Sequence, residues 1–302
     1  MFKSKNGMSR ALVRRETTAG YLFLLPSLFF FVTFVLYPMF LCIYTSFFDS
    51  NMGKNAVDVF VGLGNYKELF QDKLFLGALK NTVLIVVVAV PTVCAFSLWV
   101  ATAIYDMKPA LTSAFRCIFY LPVVTGSVAV TVVWKWMYNN RYGVLNYLFK
   151  SLGIIDQNIN WLGDARFALW CIILILFTTS VGQPIVLYVS ALGNVDHSLV
   201  EAAEVDGANR RQVFWKIKWA QIMPTTLYIL IITTINSFQC FALIQLLTSG
   251  GPTHSTDTIM YYIYYTAFKL YRYGYGNAMG VVLMVIIAVL SAVQFKLGQR
   301  SD

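Results

Sequence analysis

The run Asn81-Thr-Val-Leu-Ile-Val-Val-Val-Ala-Val-Pro-Thr-Val-Cys-Ala-Phe-Ser-Leu-Trp-Val-Ala-Thr-Ala-Ile-Tyr105 carries no charged side chain. A membrane-spanning helix needs about 20 mostly apolar residues, and this run is long enough. Five further runs qualify in the same way. The six predicted spans cover residues 20–48, 81–105, 115–136, 167–192, 224–247 and 276–295. The sequence therefore predicts an all-α integral membrane protein with six transmembrane helices.

The overall composition agrees with a membrane protein. Of 302 residues, 58% are hydrophobic and only 12% are charged, whereas about 25% of the residues of a soluble domain are charged. The formal charge is +9, but the basic residues lie in short breaks between apolar runs. They form no basic soluble face of the kind that binds nucleic acid. We therefore expect membrane lipid around the chain and no nucleic acid partner.

The distribution of basic residues predicts which ends face the cytoplasm. If both termini lie inside, the inner breaks hold thirteen of the twenty-three basic residues, including the N-terminal cluster and Arg116 at the start of the third run. Inner loops of membrane proteins are enriched in Lys and Arg, so this orientation is favoured. We predict residues 1–19 as a cytoplasmic N-terminal segment, residues 20–296 as one transmembrane domain and residues 297–302 as a cytoplasmic tail.

Several prolines fall inside the predicted spans. They are Pro26, Pro38, Pro91, Pro122 and Pro184. Membrane helices tolerate proline because neighbouring groups satisfy the carbonyl that it leaves free. We expect simple kinks at these positions, and broken helices that line a cavity are the alternative.

The break between the fourth and fifth spans, residues 194–224, has the pattern of a helix rather than of a simple connector. Ser198 and Glu201 have the spacing of a capping box, in which each side chain accepts a hydrogen bond from the other residue's amide. A short helix is expected over residues 199–206, with Gly207 as its left-handed end. Ala202 and Ala203 give this helix a flat side that another surface could approach. A capped surface helix that only joins two spans is the simpler alternative.

A second helix is expected after Gly207. Val213, Phe214 and Ile217 recur at helical spacing and predict an apolar face against the membrane side. The basic residues of the segment are expected to face water or lipid headgroups. They are Arg210, Arg211, Lys216 and Lys218.

Polar side chains inside two of the spans form a second candidate site. They and one neighbouring aromatic residue are Phe177, Ser180 and Gln183 in the fourth span and Thr233, Asn236, Ser237 and Cys240 in the fifth. The four residues of the fifth span share one helical face. Polar groups are costly in lipid and tend to face a cavity or a partner helix, so a solute cavity and interhelical hydrogen bonding are both open. Since the stripe contains no charge, a cavity would suit a neutral solute such as a sugar better than an ion.

The sequence contains no nucleotide-binding or catalytic motif. It has no G-x-x-x-x-G-K-[ST] run, and its five cysteines and two histidines lack metal-ligand spacing. We therefore expect no metal or cofactor in this chain and no enzymatic activity. A self-sufficient secondary transporter is the alternative class, but ion coupling usually needs ionisable residues inside the membrane, and the six spans contain almost none.

The loop sequence Glu201-Ala-Ala-Glu-Val-Asp-Gly-Ala208, followed by Phe214, Ile217 and Pro224, closely resembles the EAA loop of bacterial ABC importer permeases. Residues 20–26, 60–66, 119–122 and 247–253 also look like the carbohydrate-uptake, maltose-type branch of that family. The sequence departs from the family pattern at Asp196, where Ile-Pro is usual, and at Ala220, where proline is usual.

This resemblance implies the type I ABC importer permease fold, in which the loop at residues 194–224 carries the coupling helix. In the family, this helix docks in a cleft of a cytoplasmic ATPase. The contact residues implied here are Glu201, Ala202, Ala203, Asp206 and Gly207. The chain would translocate a sugar, with a di- or oligosaccharide as the expected solute and glycerol phosphate or another polyol as the alternative.

The resemblance also implies an assembly. The partners would be a second permease subunit, ATPase subunits that bind ATP and Mg²⁺, and an extracytoplasmic sugar-binding protein. The chain would be a multi-pass protein of the bacterial inner membrane with both termini in the cytoplasm. The outer loops at residues 51–80 and 249–272 would receive the binding protein.

Overall fold

The described part of the chain is mostly helical, which confirms the predicted fold class. The computed structural model describes residues 10–50 and 58–298. The start of the predicted N-terminal segment, part of the first outer loop and the end of the tail lie outside the described residues.

The order of elements is as follows. The first half of the chain contains α1 (Arg10–Phe31), α2 (Tyr37–Thr45), β1 (Phe48–Asp49), β2 (Val59–Phe60), α3 (Gly64–Gln71), α4 (Lys73–Tyr105), α5 (Pro109–Val124), α6 (Ser127–Met137) and α7 (Val144–Ser151). The second half contains α8 (Ala168–Ser180), α9 (Gly182–Gly193), α10 (His197–Val205), α11 (Arg210–Val213), α12 (Trp219–Phe238), α13 (Ala242–Leu247), α14 (Ile259–Tyr264) and α15 (Tyr273–Gly298). π-Helical turns at Val32–Leu36, Phe214–Lys218 and Tyr265–Lys269 follow α1, α11 and α14. The strands form one short antiparallel pair, with Phe48 opposite Phe60.

Five of the six predicted spans are helical segments long and apolar enough to cross a membrane. They are Glu16–Thr45, Lys73–Tyr105, Ala168–Gly193, Arg210–Leu247 and Tyr273–Gly298. The segment Arg210–Leu247, which corresponds to the fifth predicted span, begins well before the predicted start at residue 224.

The third span does not form the single helix predicted over residues 115–136. It consists of α5 and α6, which meet at an angle of 94°. Pro122 removes one amide from the helical ladder of α5. Thr125 and Gly126 are then extended, with ψ angles of 125° and 142°, and glycine loses more conformational entropy in a helix than any other residue. The third span is therefore a broken helix rather than the expected kinked one.

The long helix α4 lies at the centre of the bundle. At its cytoplasmic half, by the predicted orientation, it packs with α9 and α12 through a cluster that includes Ile104, Tyr188 and Ile229. At its other half, Phe75 packs with residues of α14 and α15, including Met279. The buried contacts of α4 therefore hold α9 and α12, the two helices that flank the 194–224 loop, against one common support.

The first span lies at the edge of the described fold. No residue in its most apolar stretch is buried by the rest of the chain. Near its end, the Asn277 side-chain amide of α15 donates a hydrogen bond of 2.6 Å to the Thr45 hydroxyl. Exposed apolar side chains are expected where lipid or another membrane subunit surrounds a helix.

Candidate functional site

The helix of the 194–224 loop, α10, begins two residues earlier than predicted. Its N-cap is Asp196, whose Oδ1 accepts a hydrogen bond of 2.9 Å from the Ser198 amide. The predicted capping box of Ser198 and Glu201 is wrong, because Ser198 already lies inside the helix. Aspartate is among the strongest N-caps, and its charge is favourable at the positive end of the helix dipole. Hydrogen bonds from Ser198, side chain and amide, lower the pKa of Asp196.

The other end of α10 is formed as predicted. Gly207 has a φ of +84°, which is the left-handed region. Its amide donates to the Glu204 carbonyl at 3.0 Å, and the Ala208 amide donates to the Ala203 carbonyl at 2.9 Å. These two bonds form a Schellman motif, so the role of Gly207 as helix stop is confirmed.

The helix α10 is fixed to the membrane helices at its start. The Asp196 amide donates a hydrogen bond of 3.1 Å to the Gln221 side chain of α12. Val195 is buried in the cluster between α4, α9 and α12, and Val200 of α10 packs against the same cluster. Asp196, a departure from the family pattern, therefore caps α10 and also connects it to α12.

The second helix of the loop is not a separate element along the membrane. The segments α11, Phe214–Lys218 and α12 run on into the fifth span, Arg210–Leu247. Ala220, where the family usually has proline, keeps its amide and lies inside α12. A proline there would remove a helical hydrogen bond, so alanine favours the continuous helix.

The predicted faces of this helix are largely confirmed. Val213 is buried, and Phe214 and Ile217 are half-buried. Three of the four basic residues, Arg210, Arg211 and Lys216, are exposed. The fourth differs, because the Lys218 ammonium lies 5.1 Å from the centre of the Tyr105 ring and makes a cation–π contact.

The outer surface of α10 carries more apolar area than the sequence suggested. The predicted contact residues Glu201, Ala202, Asp206 and Gly207 are exposed and Ala203 is half-buried. Leu199 is 50% exposed and Val205 is 88% exposed. Both are three residues from Ala202 and share its helical face. Neither residue is among the predicted contacts, although their spacing from Ala202 was a usable signal.

A cavity of about 620 Å³ lies between α10 and the membrane helices. Glu201 and Glu204 line it from α10, and Arg210 and Lys218 line it from the start of the fifth span. Among the described residues no ion pair crosses this cavity. Its acidic and basic groups are therefore not bound to one another.

A smaller cavity of about 150 Å³ lies within the membrane helices. It brings together four of the seven predicted residues, Ser180, Gln183, Thr233 and Asn236. Thr179, Val123, Pro184, Leu187 and Ile232 complete the lining and were not predicted. None of the four predicted side chains hydrogen-bonds within the described part of the chain, which leaves their polar groups available. We call this space the polar cavity.

The other three predicted residues lie elsewhere. The Phe177 ring packs edge-on against Phe96, with 5.1 Å between ring centres. Ser237 is buried. Cys240 packs in a cluster with Tyr138 and Cys171. Helical spacing predicts Ser237 and Cys240 on the same face as Thr233 and Asn236, but α12 ends at Phe238, before Cys240. Residues of α8 and α13 pack around Cys240 there.

The polar cavity lies at the junction of α8 and α9. Pro184 has no amide to bond the Ser180 carbonyl, which weakens the ladder there. The next carbonyl, that of Val181, keeps its helical hydrogen bond of 3.1 Å from the Ile185 amide. It also accepts a hydrogen bond of 3.2 Å from the buried Ser97 hydroxyl of α4. At Pro184 the structure therefore agrees with the alternative of a broken helix that lines a cavity. The break between α8 and α9 lies beside the polar cavity, and the Ser97 hydrogen bond fixes it to α4.

Comparison with known proteins identifies the family. Residues 8–302 match the family described as the binding-protein-dependent transport system inner membrane component. The chain belongs to this family. It is therefore a multi-pass inner-membrane transport component and not itself an enzyme, and the family description does not fit the alternative of a self-sufficient secondary transporter.

Individual relatives agree over nearly their full lengths. The chain is 33% identical to the probable ABC transporter permease protein YesP of Bacillus subtilis, over 94% of this chain and 91% of YesP. It is 32% identical to the lactose transport system permease protein LacF of Rhizobium radiobacter, over 94% and 95%. A solved bacterial alginate ABC transporter in complex with a periplasmic protein has the same fold, with a TM-score of 0.82, 24% identity and coverage of 95% and 96%. These matches confirm the ABC importer permease fold.

Proposed function

We propose that the chain is the permease subunit through which an ABC importer moves a saccharide, driven from the loop at residues 194–224. The polar cavity carries this proposal. Ser180, Gln183, Thr233 and Asn236 offer both donors and acceptors without charge, as the hydroxyls of a sugar require. The name of the relative LacF, a lactose permease, supports the same solute class. A glycerol phosphate or another polyol remains the alternative solute.

The position of α10 supports the mechanism. It directly follows α9 and precedes the fifth span, and these two helices carry Gln183 and Asn236 at the polar cavity. A displacement of α10 would therefore move both walls of the cavity. In the proposed cycle, ATP binding closes the ATPase subunits, α10 moves with them, and the cavity changes from inward-facing to outward-facing.

The proposed assembly contains a second permease subunit, two ATPase subunits that hold ATP and Mg²⁺, and an extracytoplasmic sugar-binding protein. On α10, Glu201, Ala202, Ala203, Asp206 and Gly207 would contact the ATPase. The exposed Leu199 and Val205 would add apolar contact at that surface. The binding protein would dock on the outer loops.

The substitution Gly207→Asp tests this coupling. It adds a charge at the proposed ATPase contact, on a residue with a φ of +84°, where a side chain costs about 1–2 kcal/mol. We expect the variant to assemble in the membrane but to lose solute uptake and the stimulation of ATPase activity by the loaded binding protein. Asn194→Asp is the matched control, since it adds the same charge to an exposed residue of the loop that is not left-handed. Normal transport by Gly207→Asp would refute the coupling role.

A further inference from the structure

Arg116 lies deeper in the bundle than its sequence position suggested. The sequence places it in the break before the third span, but it lies within α5, seven residues after Pro109. At 1.5 Å per residue this is about 10 Å along the helix. A cation at such a position is costly, and such residues usually face a cavity or a partner.

The Arg116 guanidinium has no partner among the described residues. It makes no hydrogen bond or ion pair there, and its Nε atom is buried without an acceptor. Other arginines are satisfied, since Arg166 pairs with Asp164 and Arg272 pairs with Glu68, each at 2.7 Å. A guanidinium offers five donors in a planar fork that matches carboxylate and phosphate oxygens.

Arg116 stands between two spaces that adjoin the polar cavity. A space of about 460 Å³ is lined by Arg116 and Cys117 of α5 and by Gln183 and Leu187 of α9. Gln183 and Leu187 also line the polar cavity. A second space, of about 230 Å³ and closer to the start of α5, shares Arg116 with the first. No aspartate or glutamate lines either space.

From these observations we infer that Arg116 binds an anionic group of the transported solute as it leaves the polar cavity toward the cytoplasm. The solute is then a saccharide or polyol that bears a carboxylate, phosphate or sulfonate group. Its hydroxyls are bound by the neutral side chains of the polar cavity, and its anionic group is bound by the guanidinium. This inference rests on the proposed function and specifies its substrate class.

Cys117 provides a reporter next to Arg116. It lines the same space and is exposed, whereas the other four cysteines are half-buried or buried. The complete transporter, in nanodiscs of phosphatidylcholine and without nucleotide, is treated with N-ethylmaleimide, and the alkylation rate of Cys117 is followed by mass spectrometry. D-glucuronate is titrated as the anionic probe, and D-glucose, which lacks the carboxylate, is its neutral counterpart.

We expect glucuronate to slow the alkylation of Cys117 and glucose to have little effect. Arg116→Gln should weaken the protection by glucuronate about tenfold or more, since a charge-assisted bond is lost. Arg116→Lys, which keeps the charge but not the fork, should retain part of it. Lys108→Gln is the matched control, because it removes a charge at the start of α5 but lines neither space, and it should behave as the wild type.

Four outcomes would overturn the inference. They are equal protection by both probes, protection that persists in Arg116→Gln, a Cys117 that does not react in the assembled complex, and protection that comes only from anionic phosphatidylglycerol in the nanodisc. The last result would assign the guanidinium to a lipid headgroup. The Gly207→Asp experiment does not depend on Arg116, so the anion site can fail while the proposed function stands.

Discussion

At the scale of single residues, Gly182 sets the distance between α5 and α9. A Cβ atom at this position would lie 2.3 Å from the Phe119 carbonyl oxygen and 2.9 Å from the Val123 side chain. The absence of a side chain therefore lets the backbone of α5 approach α9. This contact brings Val123 to the polar cavity and Arg116 to the spaces beside it.

Gly182→Ala should separate these helices. The added methyl group meets backbone that cannot rotate away, and overpacking of this kind costs about 1–3 kcal/mol. We expect a lower midpoint of thermal unfolding for the purified complex and reduced transport. Gly193→Ala on the same helix is the control, because its nearest neighbour would be the Tyr105 ring at 4.0 Å. Equal unfolding midpoints for the two variants would contradict this account of α5–α9 packing.

At the scale of elements, α10 is a short helix held by its ends. Asp196 caps its start and bonds Gln221, while Gly207 closes its other end. Between these points its outer face, with Ala202 and Val205, is exposed. A helix of nine residues is marginal by itself, so its caps and its contacts with the bundle decide whether it stays folded.

Replacing the cap tests this. Asp196→Ala should increase amide hydrogen exchange across α10 and reduce ATPase coupling, whereas Ser198→Ala should have the smaller effect. Because hydrogen bonding lowers the pKa of Asp196, its contribution is fully present above the ordinary value of about 3.9 and is lost as the pH falls through the lowered value. Asp196→Asn should keep the protection and lose this acid sensitivity. A larger effect of Ser198→Ala than of Asp196→Ala would contradict this cap and support the capping box of Ser198 and Glu201.

At the scale of the whole molecule, the bundle connects the surface of α10 to the polar cavity. The helices α9 and α12 carry the polar cavity and also hold α10 between them, while α4 supports both. The first span contributes no buried residue from its most apolar stretch. The described part of the chain thus divides into a packed core and a peripheral first span whose apolar side chains remain exposed.

The proposed orientation can be measured on the intact cell. Ser151 at the end of α7 and Ser198 in α10 are both exposed. With α10 in the cytoplasm, a membrane-impermeant maleimide should label Ser151→Cys in intact cells and Ser198→Cys only after permeabilisation. The parent chain, with its five cysteines, gives the background. The reverse labelling pattern would invert the topology.

The sequence alone determined the fold class, five of the six spans and the glycine end of the loop helix. In lipid, a long apolar run satisfies its backbone N–H and C=O groups by forming a helix. The helix stop at Gly207 is a local property of the backbone. The sequence also predicted four residues of the polar cavity, because helical spacing places polar groups on one face.

Only the tertiary structure decided which of these features meet. Both Asp196 and Ser198 are residue types that can cap a helix. In the structure α10 begins at His197, so Asp196 is the N-cap and Ser198 lies inside the helix. In the third run, Pro122 left both a kink and a broken helix open, and the structure shows the break, at Thr125 and Gly126, with an angle of 94°. Phe177 and Cys240 do not line the polar cavity, because Phe177 packs against Phe96 of α4 and Cys240 packs in the cluster with Cys171 of α8. Arg116 is placed beside the cavity by the close approach of α5 and α9 at Gly182, a contact between distant parts of the chain that no local pattern encodes.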